Sequence, residues 1–145
     1  MTENQVLENA ITLACEAHKG QVDKAGLPYI LHPLHLMLQF STNDERIVAV
    51  LHDVLEDTTT HYLELLDAGI PANCLDALEA LTKRRHEPYE KYIERVSKNT
   101  LATRVKLADL EHNSDLYRLP EITEEDRHRH DKYQRAMEYL RKIAA

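Results

Sequence analysis

An all-α fold is expected for this chain, and three observations predict it. Only three glycines occur among 145 residues. Runs rich in Val, Ile and Thr, which favour pleated strands, are missing. Apolar residues recur three and four positions apart from the start of the chain, as Val6, Leu7, Ala10, Ile11, Ala14 and Cys15 do.

That first stripe predicts an amphipathic helix running to about His18, ended by Gly20. Residues 20–31, with Gly20, Gly26 and Pro28, read as a loop. A short helix is expected from Pro33, since proline suits a first helical turn. Asn43 or Asp44 is expected to cap the next helix, which carries Ile47, Val48, Val50, Leu51, Val54 and Leu55. It is apolar on most sides and is therefore expected at the centre of the fold. Further helices are expected at about 61–68, 72–82, 88–98 and 100–117, separated by Gly69–Ile70–Pro71 and by Glu87–Pro88. Thr123 is the expected N-cap of the last helix, with acids in its first turn. No linker, repeat or low-complexity stretch divides the chain, so residues 1–145 are expected to form one domain.

Twenty-five acids against 18 basic residues give a formal charge of −7. That balance argues against nucleic-acid binding, which needs a net basic face. A phosphorylated small molecule remains open, because a metal and a few Lys or Arg reverse the sign locally. The basic clusters Lys83–Arg84–Arg85 and Arg127–His128–Arg129 read first as solvated faces. Cys15 and Cys74 lie far apart with no CxxC spacing, and are expected as reduced, buried thiols of a cytoplasmic protein. The N-terminus lacks the basic start and apolar core of a signal peptide. No apolar run approaches the ~20 residues that span a bilayer.

The chemistry concentrates in AVLHDVLEDT and KLADLEHN. Adjacent His52 and Asp53 offer an imidazole nitrogen and a carboxylate oxygen near one point, a donor set suited to Mn, Fe, Zn or Mg. Glu56 and Asp57 follow four residues after each, on the same helical side one turn away. Asp109 adds a carboxylate from a second helix, with Lys106 and Asn113 one turn to either side, and His32 lies where the glycine-containing loop meets a helix. Singly, His32 reads equally well as a turn histidine and Asp109 as a surface acid; together with the His–Asp pair they read as a ligand set. Such a cation beside paired carboxylates is equipment for activating water. One of the two acids, Glu56 or Asp57, is expected to rise in pKa and carry the proton. The remaining histidines, His18 among them, read as structural.

The stretches AHKGQ (17–21), KAGLPYILHP (24–33), HDVLEDT (52–58), LTK (81–83) and KLADLEHN (106–113) occur in the order found in the HD superfamily of metal-dependent phosphohydrolases. Within it, the chain resembles the hydrolase domain of RelA/SpoT enzymes and the stand-alone small alarmone hydrolases. The resemblance covers most of the chain and implies a compact HD-domain helical bundle. It implies one divalent cation, usually manganese, held by His32, His52, Asp53 and Asp109. Glu56 and Asp57 would position and deprotonate the attacking water. Asn113 and Lys24 would lie near the nucleotide, Arg129 and Tyr133 at its phosphates and sugar, and Lys83 or Arg85 would supply another phosphate contact. The implied reaction releases pyrophosphate from the 3′ position of ppGpp or pppGpp. The chain is expected to carry no synthetase domain.

One departure bears on the substrate. Where much of that family has Arg–Lys before the glycine turn, this chain has Asp23–Lys24. An aspartate cannot cover a base as a guanidinium plane does. The resemblance therefore implies only a modest preference for guanine, and Asp23→Arg is expected to tighten the Michaelis constant for ppGpp. It leaves open another nucleotide (ppApp, NADPH or a nucleoside monophosphate). A metal-holding regulatory module without turnover is a third reading, against which the Glu56–Asp57 pair argues.

Overall fold

A computed structural model describes residues 1–144. Among them every regular element is helical apart from one isolated bridge between Val22 and Pro28. Helix α1 (Glu3–Ala17) starts at a capping box, in which Thr2 and Gln5 satisfy each other's backbone N–H groups. It buries Val6, Ala10 and Ala14, the stripe read from the sequence.

The loop after α1 is knotted by Asp23. Its carboxylate accepts hydrogen bonds from the backbone of Ala25 and Leu27, both at 2.9 Å, and its own N–H donates to the Leu27 carbonyl. Gly26 sits inside this turn at φ +82°, a conformation a side chain would strain. Helix α2 (Leu31–Met37) begins two residues before Pro33, because Pro33 still falls within the first turn, where no N–H partner is needed.

Helix α3 (Asn43–Leu51) is the centre of the fold and packs against α1, α2, α6 and α8. Five consecutive residues, Ile47 to Leu51, are buried, so no face meets water. Thr42, rather than Asn43 or Asp44, is its N-cap, accepting from the N–H of Glu45. The expected run through Leu55 is interrupted at His52–Asp53, and a short helix α4 (Val54–Asp57) follows. The cause is local. His52 Nδ1 lies 2.7 Å from the Ala49 carbonyl, the acceptor that the next backbone N–H would use in an unbroken helix.

Helices α5 (Tyr62–Asp67), α6 (Ala72–Leu81) and α7 (Tyr89–Ser97) match the expected spans closely. Helix α8 (Thr100–Asn113) ends before 117, and a single 3₁₀ turn (Leu116–Arg118) follows it. Helix α9 (Glu124–Ala144) lies against α8 and α7. Thr123 caps it as expected, exchanging hydrogen bonds with Asp126. Cys74 is buried but Cys15 is exposed, since Cys15 falls just off the α1 stripe that faces α3. Both thiols are free. No helix among the described residues is long and apolar enough to cross a membrane.

Arg95 on α7 holds the loop between α6 and α7. Its guanidinium donates to both Glu87 carboxylate oxygens and to the carbonyls of Glu79, Ala80 and Thr82. Removing it leaves several of these acceptors unpaired. Arg95→Ala is expected to destabilise the protein by ~1–3 kcal/mol in urea denaturation, the scale of hydrogen bonds to a charged group. It should also loosen Lys83 on that loop; unchanged stability would show that the loop is held elsewhere.

Candidate metal centre and the cavities beside it

His32 from α2, His52 from the end of α3 and Asp109 from α8 meet in the interior, each buried. Their ligand atoms all lie within 4.8 Å of one another. Asp109 Oδ1 is 2.8 Å from His32 Nε2, 3.4 Å from His52 Nε2 and 2.9 Å from the Asn113 amide nitrogen. Asp109 Oδ2 accepts from Lys106 Nζ at 3.0 Å. Asp53 stands beside this group, with Oδ2 3.0 Å from His52 Nε2 and accepting a hydrogen bond from the Tyr29 hydroxyl. Three of the four expected ligands thus converge directly, and Asp53 joins them through His52.

The electrostatics are those of a cation site. With Nδ1 donating to Ala49, His52 turns Nε2 toward two carboxylate oxygens, 3.0 Å from Asp53 and 3.4 Å from Asp109. A positive charge must sit there, as a proton or as a metal ion. Burial pulls the His52 pKa down, but Asp53 and Asp109 outweigh it and raise it well above the ordinary imidazole value. Burial pushes Asp53 up, and the charge and hydrogen bond of His52 bring it below the usual carboxylate range. Asp109 behaves likewise, held low by Lys106 and His52 against its burial. Two imidazole nitrogens and a carboxylate oxygen, with a second carboxylate adjacent, fit a divalent cation of borderline hardness.

Residues around the cluster complete it. His18 is buried beside the cluster, with its ring 5.0 Å from that of Tyr29 and its Nδ1 2.8 Å from Gln21 Oε1. Gln21 in turn donates to the Asp57 carbonyl. Burial and the nearby Asp53 charge raise the Tyr29 pKa, keeping it a phenol that donates. Glu56 and Asp57 lie on α4 at the protein surface. Glu56 Oε1 accepts from the Lys83 N–H at 2.7 Å. Asp57 is raised to about 6, first by desolvation and then by the charges of Asp53 and Glu56.

Two cavities flank the cluster. One, of about 310 Å³, is lined by Asp23, Lys24, Tyr29, His32, Asn113 and Arg129, with Tyr133 at its wall. Leu116, Arg118 and Leu119 also line it. The other, of about 230 Å³, is lined by His52, Asp53 and Glu56 together with Lys83, Lys106 and Lys132. Tyr89, Tyr92 and again Tyr133 line it. The four expected nucleotide contacts, Lys24, Asn113, Arg129 and Tyr133, therefore share the first cavity. Two of them are already engaged: Asn113 with Asp109, and Arg129 with Asp126 one turn back. Lys24 Nζ lies 4.0 Å from that same Asp126. Arg85 is exposed and lines neither cavity. Lys132, Tyr89 and Tyr92 were not singled out in the sequence, because only the packing of α9 on α7 and α8 brings them to the cluster.

No protein-family model matches the chain. The bifunctional (p)ppGpp synthase/hydrolase SpoT of Escherichia coli K12 is 30% identical over 129 residues, covering 78% of this chain and 18% of that protein. The guanosine-3′,5′-bis(diphosphate) 3′-pyrophosphohydrolase of Haemophilus influenzae is 31% identical over 115 residues, covering 70% of this chain and 17% of the relative. The chain thus spans less than a fifth of the length of these curated relatives. Among solved structures, a metazoan ortholog of SpoT described as hydrolysing ppGpp superposes with a TM-score of 0.79 at 22% identity, over 97% of this chain and 88% of that one. The helical architecture is that of an HD-type domain. Within that class, this chain is a RelA/SpoT hydrolase-like domain.

Proposed function

We propose that the domain is a divalent-cation-dependent hydrolase that removes the 3′-pyrophosphate of (p)ppGpp-type nucleotides in the cytoplasm, with manganese as the cation. The observation that carries this reading is the position of the His32–His52–Asp109 cluster between two cavities of different character. The first, with apolar walls, Lys24 and Arg129, suits a nucleoside and its 5′ phosphates. The second, with three lysines, suits a departing diphosphate. Both open onto Tyr133. The names of the relatives support the same substrate class.

A cation held by His32, His52 and Asp109, with Asp53 alongside, would polarise a phosphoryl oxygen and acidify a water. Lys106 and Asn113 fix the Asp109 carboxylate, and Tyr29 fixes that of Asp53. Asp57, already inclined to hold a proton, and Glu56 would accept the proton that the attacking water gives up. Lys83 and Lys132 would neutralise the charge that develops on the leaving phosphate.

The test is one incubation series. Metal-free protein is supplied with manganese and given ppGpp, ppApp, NADPH or nucleoside monophosphates, and released pyrophosphate and phosphate are measured. Pyrophosphate from ppGpp is the expected product. Phosphate from NADPH or a monophosphate alone would assign a different phosphohydrolase, and no turnover by a metal-loaded protein would assign a regulatory module.

Asp23 changes the expectation about the base. Its carboxylate is spent on its own loop, so Asp23→Arg removes two hydrogen bonds that shape the segment carrying Lys24. Losing them costs ~1–3 kcal/mol in loop order. The variant is therefore expected to raise the ppGpp Michaelis constant by roughly tenfold, not to lower it. A lower constant in Asp23→Arg would show that base stacking outweighs the loop.

A further inference from the structure

One histidine that the reading above does not use touches the cluster directly. His112, in the last turn of α8, places Nδ1 2.7 Å from Nδ1 of buried His32. Two imidazole nitrogens at that distance share one proton, so one donates and the other accepts. The opposite nitrogen of His32, Nε2, faces Asp109 and the Nε2 of His52. An imidazole that offers Nε2 to a metal ion must carry its proton on Nδ1, and among the described residues the hydrogen-bond partner of that Nδ1 is His112.

His112 is itself held in place. The His35 ring stacks on it at 4.0 Å between centroids and 22° between planes. Arg118 Nη1 donates to its carbonyl at 2.7 Å, fixing the backbone where α8 ends. The rings of His32 and His112 lie within 5° of parallel. A ring clamped on its face and at its backbone, with one nitrogen aimed at a ligand's back edge, is arranged to orient that ligand.

We propose that His112 is the positioning residue of the metal centre. With a cation bound, its Nδ1 would accept the Nδ1–H of His32 and hold His32 in the tautomer that turns a bare Nε2 to the metal; without one, His32 Nε2 donates to Asp109. His35 keeps the His112 ring in plane. The proposal rests on the reading of the cluster as a metal site, and concerns metal affinity, not the identity of the nucleotide.

The experiment measures metal binding by the full chain and needs no substrate. His112→Ala deletes the acceptor. His112→Asn restores one, because the Asn Oδ1 occupies nearly the place of the His Nδ1. Dissociation constants for Mn²⁺ and Zn²⁺ are measured by competition with a chelator, and melting temperatures on the metal-free proteins. His112→Ala is expected to bind both metals about 10–100-fold more weakly, with a metal-free melting point near that of the parent. His112→Asn is expected to recover most of that loss. In the zinc-loaded parent, long-range ¹H–¹⁵N spectra of the imidazoles should place the proton on Nδ1 of His32 and leave Nδ1 of His112 bare. Wild-type affinity in His112→Ala, equal losses in the Ala and Asn variants, or a protonated Nδ1 on His112 with zinc bound would each overturn the proposal. Parent protein that binds neither metal would overturn it together with the metal reading. Metal binding without ppGpp hydrolysis would overturn the proposed substrate alone.

Discussion

His52→Ala is expected to abolish divalent-cation uptake, and turnover with it, while the helical fold survives. The choice of residue matters because the cluster is also structural. Asp109 accepts from Lys106, His32 and Asn113, so Asp109→Ala would leave a half-buried ammonium and two further donors without their acceptor and cost ~3 kcal/mol or more. His52 has a lighter structural load. Without it Asp53 keeps Tyr29 and Asp109 keeps Lys106, so each carboxylate retains a partner. The measurement is metal content by elemental analysis beside circular dichroism; a full equivalent of manganese in folded His52→Ala would refute the ligand assignment.

The same residue sets the pH dependence of loading. In the metal-free protein His52 holds a proton well above its ordinary pKa, because two carboxylates face it. That contribution to stability is fully present below the unfolded pKa of about 6.5 and is lost as pH rises through the raised folded value. A metal ion must displace this proton. Uptake should therefore weaken as pH falls, and loading near neutrality should release protons. Calorimetry of manganese binding in two buffers of different ionisation enthalpy reads that number directly. Apparent binding heats that are identical in the two buffers would show that His52 is already neutral.

The sequence carried the fold class and the cluster further than it carried the details around them. Helical spacing located α1, the Gly69–Ile70–Pro71 and Glu87–Pro88 breaks bounded α5, α6 and α7, and the Thr123 cap located α9. His32, His52 and Asp109 were legible because a histidine or acid inside an apolar segment needs a partner. The break at His52–Asp53 was not, since it depends on a side chain taking the Ala49 carbonyl from the backbone. Likewise Asp23 reads as a charge lining a nucleotide site, but its carboxylate is turned onto its own loop. The lysine recess draws on the α6–α7 loop, α8 and α9, and no local pattern links Lys83 to Lys132. His112 did leave a signal: it lies three residues after Asp109, on the same side of α8.

Glu56→Gln and Asp57→Asn are expected to keep the metal and lose turnover by ~10²-fold or more, the scale of a lost general base. Glu56→Gln is a clean probe, since the amide oxygen can still accept from the Lys83 N–H that Glu56 now receives. Asp57→Asn has a second readout. An unfolded aspartate titrates near 3.9, whereas folded Asp57 titrates near about 6. Between those values the native state binds more protons than the unfolded one, so stability falls as pH rises from about 4 to about 6. Above that window the charged carboxylate opposes Asp53 and Glu56 at full strength. Asn carries no such charge. Metal-free Asp57→Asn should therefore melt roughly 2–4 °C above the parent at pH 7.5, and no higher than the parent at pH 4. A residue kept at a cost in stability and needed for turnover is the mark of a catalytic base. Equal melting points at both pH values would remove the electrostatic argument for Asp57, and metal loss in Glu56→Gln as severe as in His52→Ala would show that Glu56 holds the cation instead of the water.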